Sequence, residues 1–181
     1  YIGKRSFQNI QNLKSVQMNS VTKINEAAFY NTGLETIEIP ASVEVIEKNV
    51  FEQNLKLKTV TFAENSKLEI IEEKAFKGCS SLKQITLPKS LVELHNKVFE
   101  GCSSLESVTI QENVQKLGEH LFTKCVSLRH IEINENITDI ILVCNPDYID
   151  LAENILSNKF SKIKTIVAGG KTRQESASIG V

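Results

Sequence analysis

Hydrophobic positions recur along this chain with a period of 22 to 25 residues. Six of the eight phenylalanines stand at matching positions, separated by 22, 22, 25, 23 and 23 residues. They are Phe7, Phe29, Phe51, Phe76, Phe99 and Phe122. A fixed period of about 20 to 50 residues is typical of proteins built by stacking copies of one structural unit. The phenylalanines therefore predict a column of rings in which each copy lies over the next.

Each copy also carries the pattern of a short strand. In the fourth copy Leu82 follows the phenylalanine by six residues, and the apolar residues Ile85 and Leu87 then alternate with polar ones. A period of two predicts a strand with one buried face. Leu91 and Leu94 follow, so the return segment also has an apolar side. One copy is too short to bury these residues alone, and stacking in parallel must bury them.

Two copies carry an identifiable local deletion or insertion. The second copy lacks one residue before Leu34, and the third has an insertion in AENSKLE, residues 63 to 69. Pro40 and Pro88 fall just after the strand pattern in their copies. A proline there predicts a corner, because its missing N–H is tolerated where the strand ends.

Composition excludes some classes of partner. Lys and Arg total 21 against 22 for Asp and Glu, with no long run of either sign, so no basic stripe indicates nucleic acid. Apolar stretches such as residues 140–143 are too short to span a bilayer, and residues 1–10 lack the apolar core of a signal peptide.

The motif GCSSL occurs twice and contains Cys79 and Cys102, and Cys125 stands at the same position of the next copy. The three cysteines form a column with a spacing of 23 residues. A catalytic thiol is a single residue beside a base, and zinc sites use close pairs such as C-x-x-C, so neither fits three equivalent positions. Disulfides between neighbouring copies match the repeat spacing, but parallel side chains do not point at one another. We expect buried, unpaired thiols. His95, His120 and His130 occupy different places in the repeat, so we predict no metal, no cofactor and no catalytic residue.

Strand alternation also predicts which residues face outward. Two polar positions per copy form the candidate binding face: Ser15, Gln17, Thr36, Glu38, Thr59, Thr61, Gln84, Thr86, Ser107, Thr109, His130 and Glu132. Beside them runs a mixed charged column of Lys14, Glu35, Lys58, Lys83, Glu106 and Arg129. Threonine is an ordinary exposed strand residue, and binding hot spots more often use Trp, Tyr or Arg. The same pattern therefore suits a binding face or a plain solvated one.

The ends differ from the repeats. We predict a repeat array over residues 1–140, a C-terminal cap over 141–170 and a flexible tail over 171–181. Within the cap, residues 145–160 have an N-terminal capping pattern and an apolar stripe that predict a helix, and residues 163–168 imitate one more strand. No comparable cap precedes Ile2. We therefore expect the natural protein to continue upstream, or the N-terminal end to pack on a partner, including a second copy of the chain.

The segments AFKGCSSLKQITLPKSLVEL (75–94) and VFEGCSSLESVTIQENVQKL (98–117) resemble BspA-type leucine-rich repeats of bacterial and protist surface proteins. The resemblance covers residues 2–140. The repeat spacing and this resemblance together predict a leucine-rich-repeat solenoid with a parallel β-sheet on one face and mostly irregular return segments. The pattern of residues 145–168 adds a short helix-strand cap. The resemblance also implies a non-enzymatic module at the cell surface or outside the cell, which binds protein or host-surface ligands in adhesion or display. The alternative is a structural spacer within a longer protein. The cysteine precedes the strand here, whereas other leucine-rich classes place Asn or Cys after it, so their sites do not transfer.

Overall fold

The computed structural model describes residues 1–133, 140–144 and 163–168. The chain divides into two compact units, Tyr1–Asn134 and Glu135–Val181. The strands are β1 (Thr36–Ile39), β2 (Val45–Ile46), β3 (Thr59–Phe62), β4 (Ile70–Ile71), β5 (Gln84–Thr86), β6 (Glu93–Leu94), β7 (Ser107–Ile110), β8 (Lys116–Leu117), β9 (His130–Ile133), β10 (Ile140–Cys144) and β11 (Ile163–Ala168).

The first unit is a parallel β-solenoid, which confirms the predicted fold class. Strands β1, β3, β5, β7 and β9 come one from each of five consecutive copies. They pair as β1–β3 and as β5–β7–β9, and we call these two groups together the first sheet. Their register follows the repeat: Thr36 lies opposite Thr59, and Ser107 lies opposite His130. The inward side chains are buried, as at Ile37 and Val108. Stacking therefore buries apolar residues that a single copy would leave in water.

The return segments are mostly irregular, but they contain a second ladder of two-residue strands. Strands β2, β4, β6 and β8 pair in that order to form the second sheet. Single bridges from Ile2 to Ile24 and from Ile24 to Ile46 extend the same column toward the N-terminus. This ladder explains the apolar residue that closes each copy, because its side chain is buried between the two sheets, as at Ile71 and Leu94.

The six phenylalanine rings form one stack. Successive ring centroids lie 5.1, 5.6, 5.2, 5.8 and 5.8 Å apart, and the planes are within 10° of parallel. The four inner rings are fully buried, and the terminal rings of Phe7 and Phe122 are partly exposed. Separations of this size suit offset-stacked aromatic pairs. The stack shows that the copies are in phase along the whole first unit.

Two left-handed residues flank the ring in every copy, one two positions before it and one two positions after it. Those before are Arg5, Ala27, Asn49, Lys74, Lys97 and His120, and those after are Asn9, Asn31, Gln53, Gly78, Gly101 and Lys124. Their positive φ angles turn the chain sharply around the ring. Their N–H groups donate to the next copy, as from Ala27 to the carbonyl of Lys48 at 2.9 Å. The corner is therefore hydrogen-bonded from copy to copy.

The first copy lacks its strand. The alternation around Val16 and Met18 predicts a strand, but the structure has none there. In this segment one backbone hydrogen bond joins the first copy to the second, from the N–H of Glu35 to the carbonyl of Lys14 at 3.0 Å. The neighbouring second copy lacks one residue between Phe29 and Leu34, and its Gly33 lies against the first copy. A Cβ added to Gly33 would be 1.9 Å from the carbonyl oxygen of Gln11. The two backbones thus lie in close contact just before the position where the other copies begin their strand.

In the second unit, β10 and β11 pair in parallel, with a register shift between Ile140 and Ile141. The strand-like pattern at 163–168 coincides with β11. The predicted helix at 145–160 and the tail at 171–181 lie outside the described residues. The domain boundaries at 140 and 170 stay predictions.

Candidate functional site

The structure places the candidate binding face on the outer side of the first sheet. Ten of its twelve residues are exposed, and Ser107 and Thr109 are half-buried. The register aligns them in columns, with Gln84, Ser107 and His130 side by side. Ser15 and Gln17 are exposed but precede the first strand. Thr109 Oγ1 donates to Glu132 Oε2 at 3.1 Å, which ties two neighbouring members of the second column together.

The first sheet is split in the middle of this face. Strand β1 pairs with β3, and β5 pairs with β7 and β9, but β3 and β5 do not pair with each other. We call the gap between β3 and β5 the seam. In the same two copies β4 and β6 are paired through Ile70 and Glu93, so the second sheet runs past the seam without interruption. The third and fourth copies therefore lack strand pairing on one side only.

The inserted residues explain why the split is local. The third copy has 25 residues, and its extra residues follow β3 directly, in residues 63–69. The rings of Phe51 and Phe76, which belong to the two separated copies, are 5.2 Å apart, as close as elsewhere in the stack. Asn65, within the insertion, has a φ of 56°. The longer loop thus changes the path of the chain beside the sheet and leaves the core stacked.

A shallow groove of about 980 Å³ lies along the seam. The groove is lined by β3 and β5, each together with the loop that follows it. Glu106 and Ser107 of the next copy also line it. Its floor includes Phe62, which is half-buried, whereas its equivalents Ile39, Leu87 and Ile110 are fully buried. The groove therefore contains an aromatic residue that is less buried than its equivalents in or directly after β1, β5 and β7.

Charge at the groove is mainly positive. Lys58, Lys83 and Lys89 line it, against the single carboxylate of Glu106. Lys58 Nζ lies 3.0 Å from Glu35 Oε2, and its hydrogen bond lowers the pKa of that carboxyl below its ordinary value. The polar groups between the lysines are uncharged: Thr59, Thr61, Gln84 and Thr86. A groove of this kind favours an anionic ligand with hydrogen-bonding groups.

The cysteines lie inside the solenoid, away from this face. Cys79, Cys102 and Cys125 are free and buried. Burial raises the pKa of each thiol, for Cys125 to about 12. A thiol held neutral at ordinary pH is a poor nucleophile and a poor metal ligand. In residues 1–133, 140–144 and 163–168 no group of three or more His, Cys, Asp or Glu residues is placed to hold a metal ion.

Each thiol has the same structural partner. It donates to the backbone carbonyl of the phenylalanine one copy earlier: Cys79 to Phe51, Cys102 to Phe76 and Cys125 to Phe99, at 3.0 to 3.2 Å. Asn54 occupies the same slot in the third copy and donates its Nδ2 to the carbonyl of Phe29 at 2.8 Å. Asn54 also accepts hydrogen bonds from the backbone N–H and the hydroxyl of Thr32. The column is a ladder of small hydrogen-bond donors.

Phe62 and Lys89 are among the groove residues that sequence reasoning missed. Phe62 stands at an inward strand position, where burial is the ordinary expectation, and Lys89 is in a corner. The extra length of the third copy was the sequence feature that could have indicated the groove. An insertion next to a strand is a place where regular strand pairing is easily interrupted.

Similar solved structures are bacterial leucine-rich repeat proteins. One from Bacteroides ovatus has a TM-score of 0.65 at 23% identity, over 91% of this chain and 39% of its own length. The leucine-rich repeat protein of T. pallidum has a TM-score of 0.60 at 22% identity, over 85% of this chain and 73% of its own. A leucine-rich cell surface protein of Faecalibacterium prausnitzii has a TM-score of 0.55 at 24% identity, over 75% of this chain and 39% of its own. This chain thus spans well under half of two of these proteins.

No curated protein sequence matches the chain. Across the described residues, no helix has the length and apolar character needed to cross a bilayer. The sequence profile described as "BspA type Leucine rich repeat region" matches residues 1–68 and 64–167, in six copies. The profile match and the parallel solenoid agree, and this chain belongs to the BspA-type leucine-rich repeat family.

Proposed function

We propose that this chain is a non-enzymatic recognition module that binds a protein or cell-surface ligand through the outer face of its first sheet and the adjoining loops. The observation that carries the proposal is the groove at the seam. It lies in the middle of the candidate binding face, and Thr59, Thr61, Gln84, Thr86 and Ser107 line it. Uncharged hydroxyl and amide groups beside lysines can bind a ligand without first breaking many ion pairs of their own.

A location at the cell surface is part of the same proposal. Its support is the family together with the similar protein of F. prausnitzii, whose name is leucine-rich cell surface protein. Adhesion or surface display would follow from that location. The absence of an enzymatic role is supported by the chemistry of the thiols, since three equivalent buried cysteines with raised pKa values lack the unique, activated nucleophile of a catalytic site.

The test uses the labelled chain on cultured epithelial cells and on an array of purified surface proteins. In the test variant Thr59, Thr61, Gln84, Thr86, Ser107 and Thr109 are all changed to Lys, which blocks the centre of the face. A matched control carries lysines at exposed positions next to the second sheet: Thr22→Lys, Glu44→Lys, Glu69→Lys and Gln115→Lys. We expect the first variant to lose binding and the control to keep it, with both retaining the parent's circular dichroism. Equal binding by both variants would place the site elsewhere.

A structural spacer is the second candidate, and the regularity of the core favours it. The continuous ring stack and the uninterrupted second sheet join all copies into one body, and exposed ion pairs such as Lys4 with Glu26 at 2.7 Å link neighbouring copies. The outer face also lacks Trp, Tyr and Arg at its twelve positions. If the parent chain binds neither cells nor any arrayed protein, the spacer is the better description.

A further inference from the structure

We propose that the seam is a charge-controlled latch, in which repulsion between Lys58 and Lys83 keeps β3 and β5 from pairing and loss of that repulsion lets them pair. The inference concerns a movement within the chain, so it stands or falls independently of the proposed function. It follows from the signs of the charged column, from the backbone hydrogen bonds beside that column and from the contacts that stay closed around the seam.

The charged column changes sign from copy to copy, with one exception. Its members alternate within each half, as Lys14, Glu35 and Lys58 and then as Lys83, Glu106 and Arg129. The exception is the step from Lys58 to Lys83, which is the step across the seam. Like charges directly opposite one another on neighbouring strands destabilise pairing, and opposite charges stabilise it. Charge therefore opposes pairing at this step and favours it at the other four.

The backbone hydrogen bonds between members of the column follow the same division. At each step between opposite charges the N–H of the later residue donates to the carbonyl of the earlier one: Glu35 to Lys14 at 3.0 Å, Lys58 to Glu35 at 2.8 Å, Glu106 to Lys83 at 2.7 Å and Arg129 to Glu106 at 3.0 Å. Among residues 1–133 the corresponding bond from Lys83 to Lys58 is absent. Pairing thus fails at the one step where the charges repel.

The insertion in the third copy does not account for this missing bond. Lys58 stands before β3, whereas the extra residues follow β3, in residues 63–69. A longer loop at one end of a strand leaves the other end free to pair. The like-charge step explains why that other end is unpaired as well.

No carboxylate within the seam compensates the two lysines. Lys58 Nζ lies 3.0 Å from Glu35 Oε2, which belongs to the copy on the side away from the seam. The single carboxylate that lines the groove is that of Glu106, and it belongs to the copy beyond Lys83. Both lysines are exposed, so salt in the solvent can screen the repulsion between them.

The two strands are close enough to pair after a small movement. The Cα atoms of β3 and β5 come within 8 Å of one another, and paired strands lie about 4.8 Å apart. The same two copies stay joined elsewhere, since the N–H of Phe51 donates to the carbonyl of Ala75 and that of Val92 to the carbonyl of Glu69, both at 2.8 Å. These closed contacts form the hinge of the latch. Its closing narrows the groove in the middle of the candidate binding face.

The test exchanges the charges at one step of the column. Lys83→Glu with Glu106→Lys leaves the net charge of the chain unchanged and places opposite charges on the two sides of the seam. Amide exchange, measured residue by residue by NMR on the full chain, gives the protection of the amide at position 83. We expect the exchange of charges to increase that protection by about 2- to 30-fold, because it replaces a repulsive cross-strand pair by an attractive one. The like-charge step then lies between positions 106 and 129, so protection of the Arg129 amide should fall.

Salt provides a second reading of the same interaction. Raising KCl from about 0.01 M to about 1 M shortens the screening length from about 30 Å to about 3 Å. In the parent chain this should increase protection of the Lys83 amide by about 1.5- to 5-fold relative to Ser107, whose amide faces a paired strand. In the charge-exchanged variant the same salt should lower the protection at position 83.

A matched control exchanges an ion pair away from the seam. Lys4→Glu with Glu26→Lys reverses a pair whose Nζ and Oε2 atoms are 2.7 Å apart, and it also leaves the net charge unchanged. Protection of the Lys83 amide should then stay within about 1.5-fold of the parent. An unchanged amide at position 83 in the seam variant would overturn the latch, as would an equal gain in the control. A salt response of Lys83 no larger than that of Ser107 would overturn it too.

Discussion

The thiol of Cys102 donates a hydrogen bond to the backbone carbonyl of Phe76, 3.2 Å away in the preceding copy. The same contact recurs one copy before and one copy after, and Asn54 makes its amide equivalent. This position of the repeat, three residues after the phenylalanine, therefore needs a small side chain that can donate a hydrogen bond. Cysteine meets both needs as a compact residue with a weak S–H donor.

Removing the donor should destabilise the solenoid. Cys102→Ala leaves the Phe76 carbonyl buried without its side-chain donor and opens a small cavity, so we expect a loss of about 1–3 kcal/mol in the free energy of unfolding. Cys102→Ser keeps a donor and should lose less. The measurement is urea unfolding followed by circular dichroism. Val126→Ala, at a site 84% exposed, is the control and should change stability by less than about 0.5 kcal/mol. An alanine variant as stable as the parent would show that the contact contributes nothing.

The buried thiols should make stability fall in alkali. Burial raises the pKa of all three, for Cys125 to about 12, while a thiol in an unfolded chain ionises near pH 8.5. Below about pH 8.5 both states keep the proton and the stabilisation is complete. Above it the unfolded chain releases protons that the folded chain retains, so stability should decline by up to about 1.4 kcal/mol per pH unit for each thiol.

Urea midpoints between about pH 7.5 and pH 10 measure this decline. The matched control is the triple variant Cys79→Ser, Cys102→Ser, Cys125→Ser, whose hydroxyls do not ionise in this range. We expect a shallower slope for the triple variant. Identical slopes would mean that other groups, such as lysines, cause the alkaline loss.

Packing of the phenylalanine rings should contribute much of the free energy of unfolding. Phe99 is fully buried and lies 5.8 Å from both Phe76 and Phe122, so Phe99→Ala should reduce the free energy of unfolding by about 3–5 kcal/mol. Phe7 is the matched control, because it is partly exposed and its ring pair within the described stack is Phe29 alone. Phe7→Ala should therefore lose clearly less. A loss below about 1 kcal/mol for Phe99→Ala would contradict the packing role of the column.

Two glycines test two different physical constraints. Gly101 has a φ of +76°, and an added Cβ would make only ordinary contact with Gly78. Gly101→Ala should thus lose about 1 kcal/mol, the cost of a left-handed residue with a side chain. At Gly33 an added Cβ would lie 1.9 Å from the backbone oxygen of Gln11, so Gly33→Ala must move backbone and should lose more. Thermal unfolding compares the two, and the reverse order would show that the close approach at Gly33 relaxes freely.

A structural feature of this chain could be predicted from the sequence when the residues that cause it recur in every copy. The phenylalanine column and the parallel register were predictable because each copy imposes the same requirement. The left-handed corner was less visible, since Ala27 and Lys97 adopt a conformation that Gly or Asn more often marks. The spacing already places Asn54 and Cys79 at the same position of the repeat. Their common hydrogen bond could not be predicted, because it depends on a carbonyl from the preceding copy. Among the candidate residues, the sequence identified the outward positions but not the break between β3 and β5.

That break should be detectable by hydrogen exchange. The N–H groups of Gln84 and Thr86 face the seam, whereas those of the equivalent Ser107 and Thr109 face β5, with which β7 is paired. Amides without a strand partner exchange through smaller openings, so we expect Gln84 and Thr86 to exchange at least about 10-fold faster than their equivalents, measured residue by residue by NMR. Because the compared residues occupy the same positions in adjacent copies, local sequence effects are small. Removing Asn65 and Ser66 should slow exchange at Gln84 and Thr86 and leave Ser107 and Thr109 unchanged. Equal protection of both pairs in the parent chain would mean that the sheet is continuous in solution.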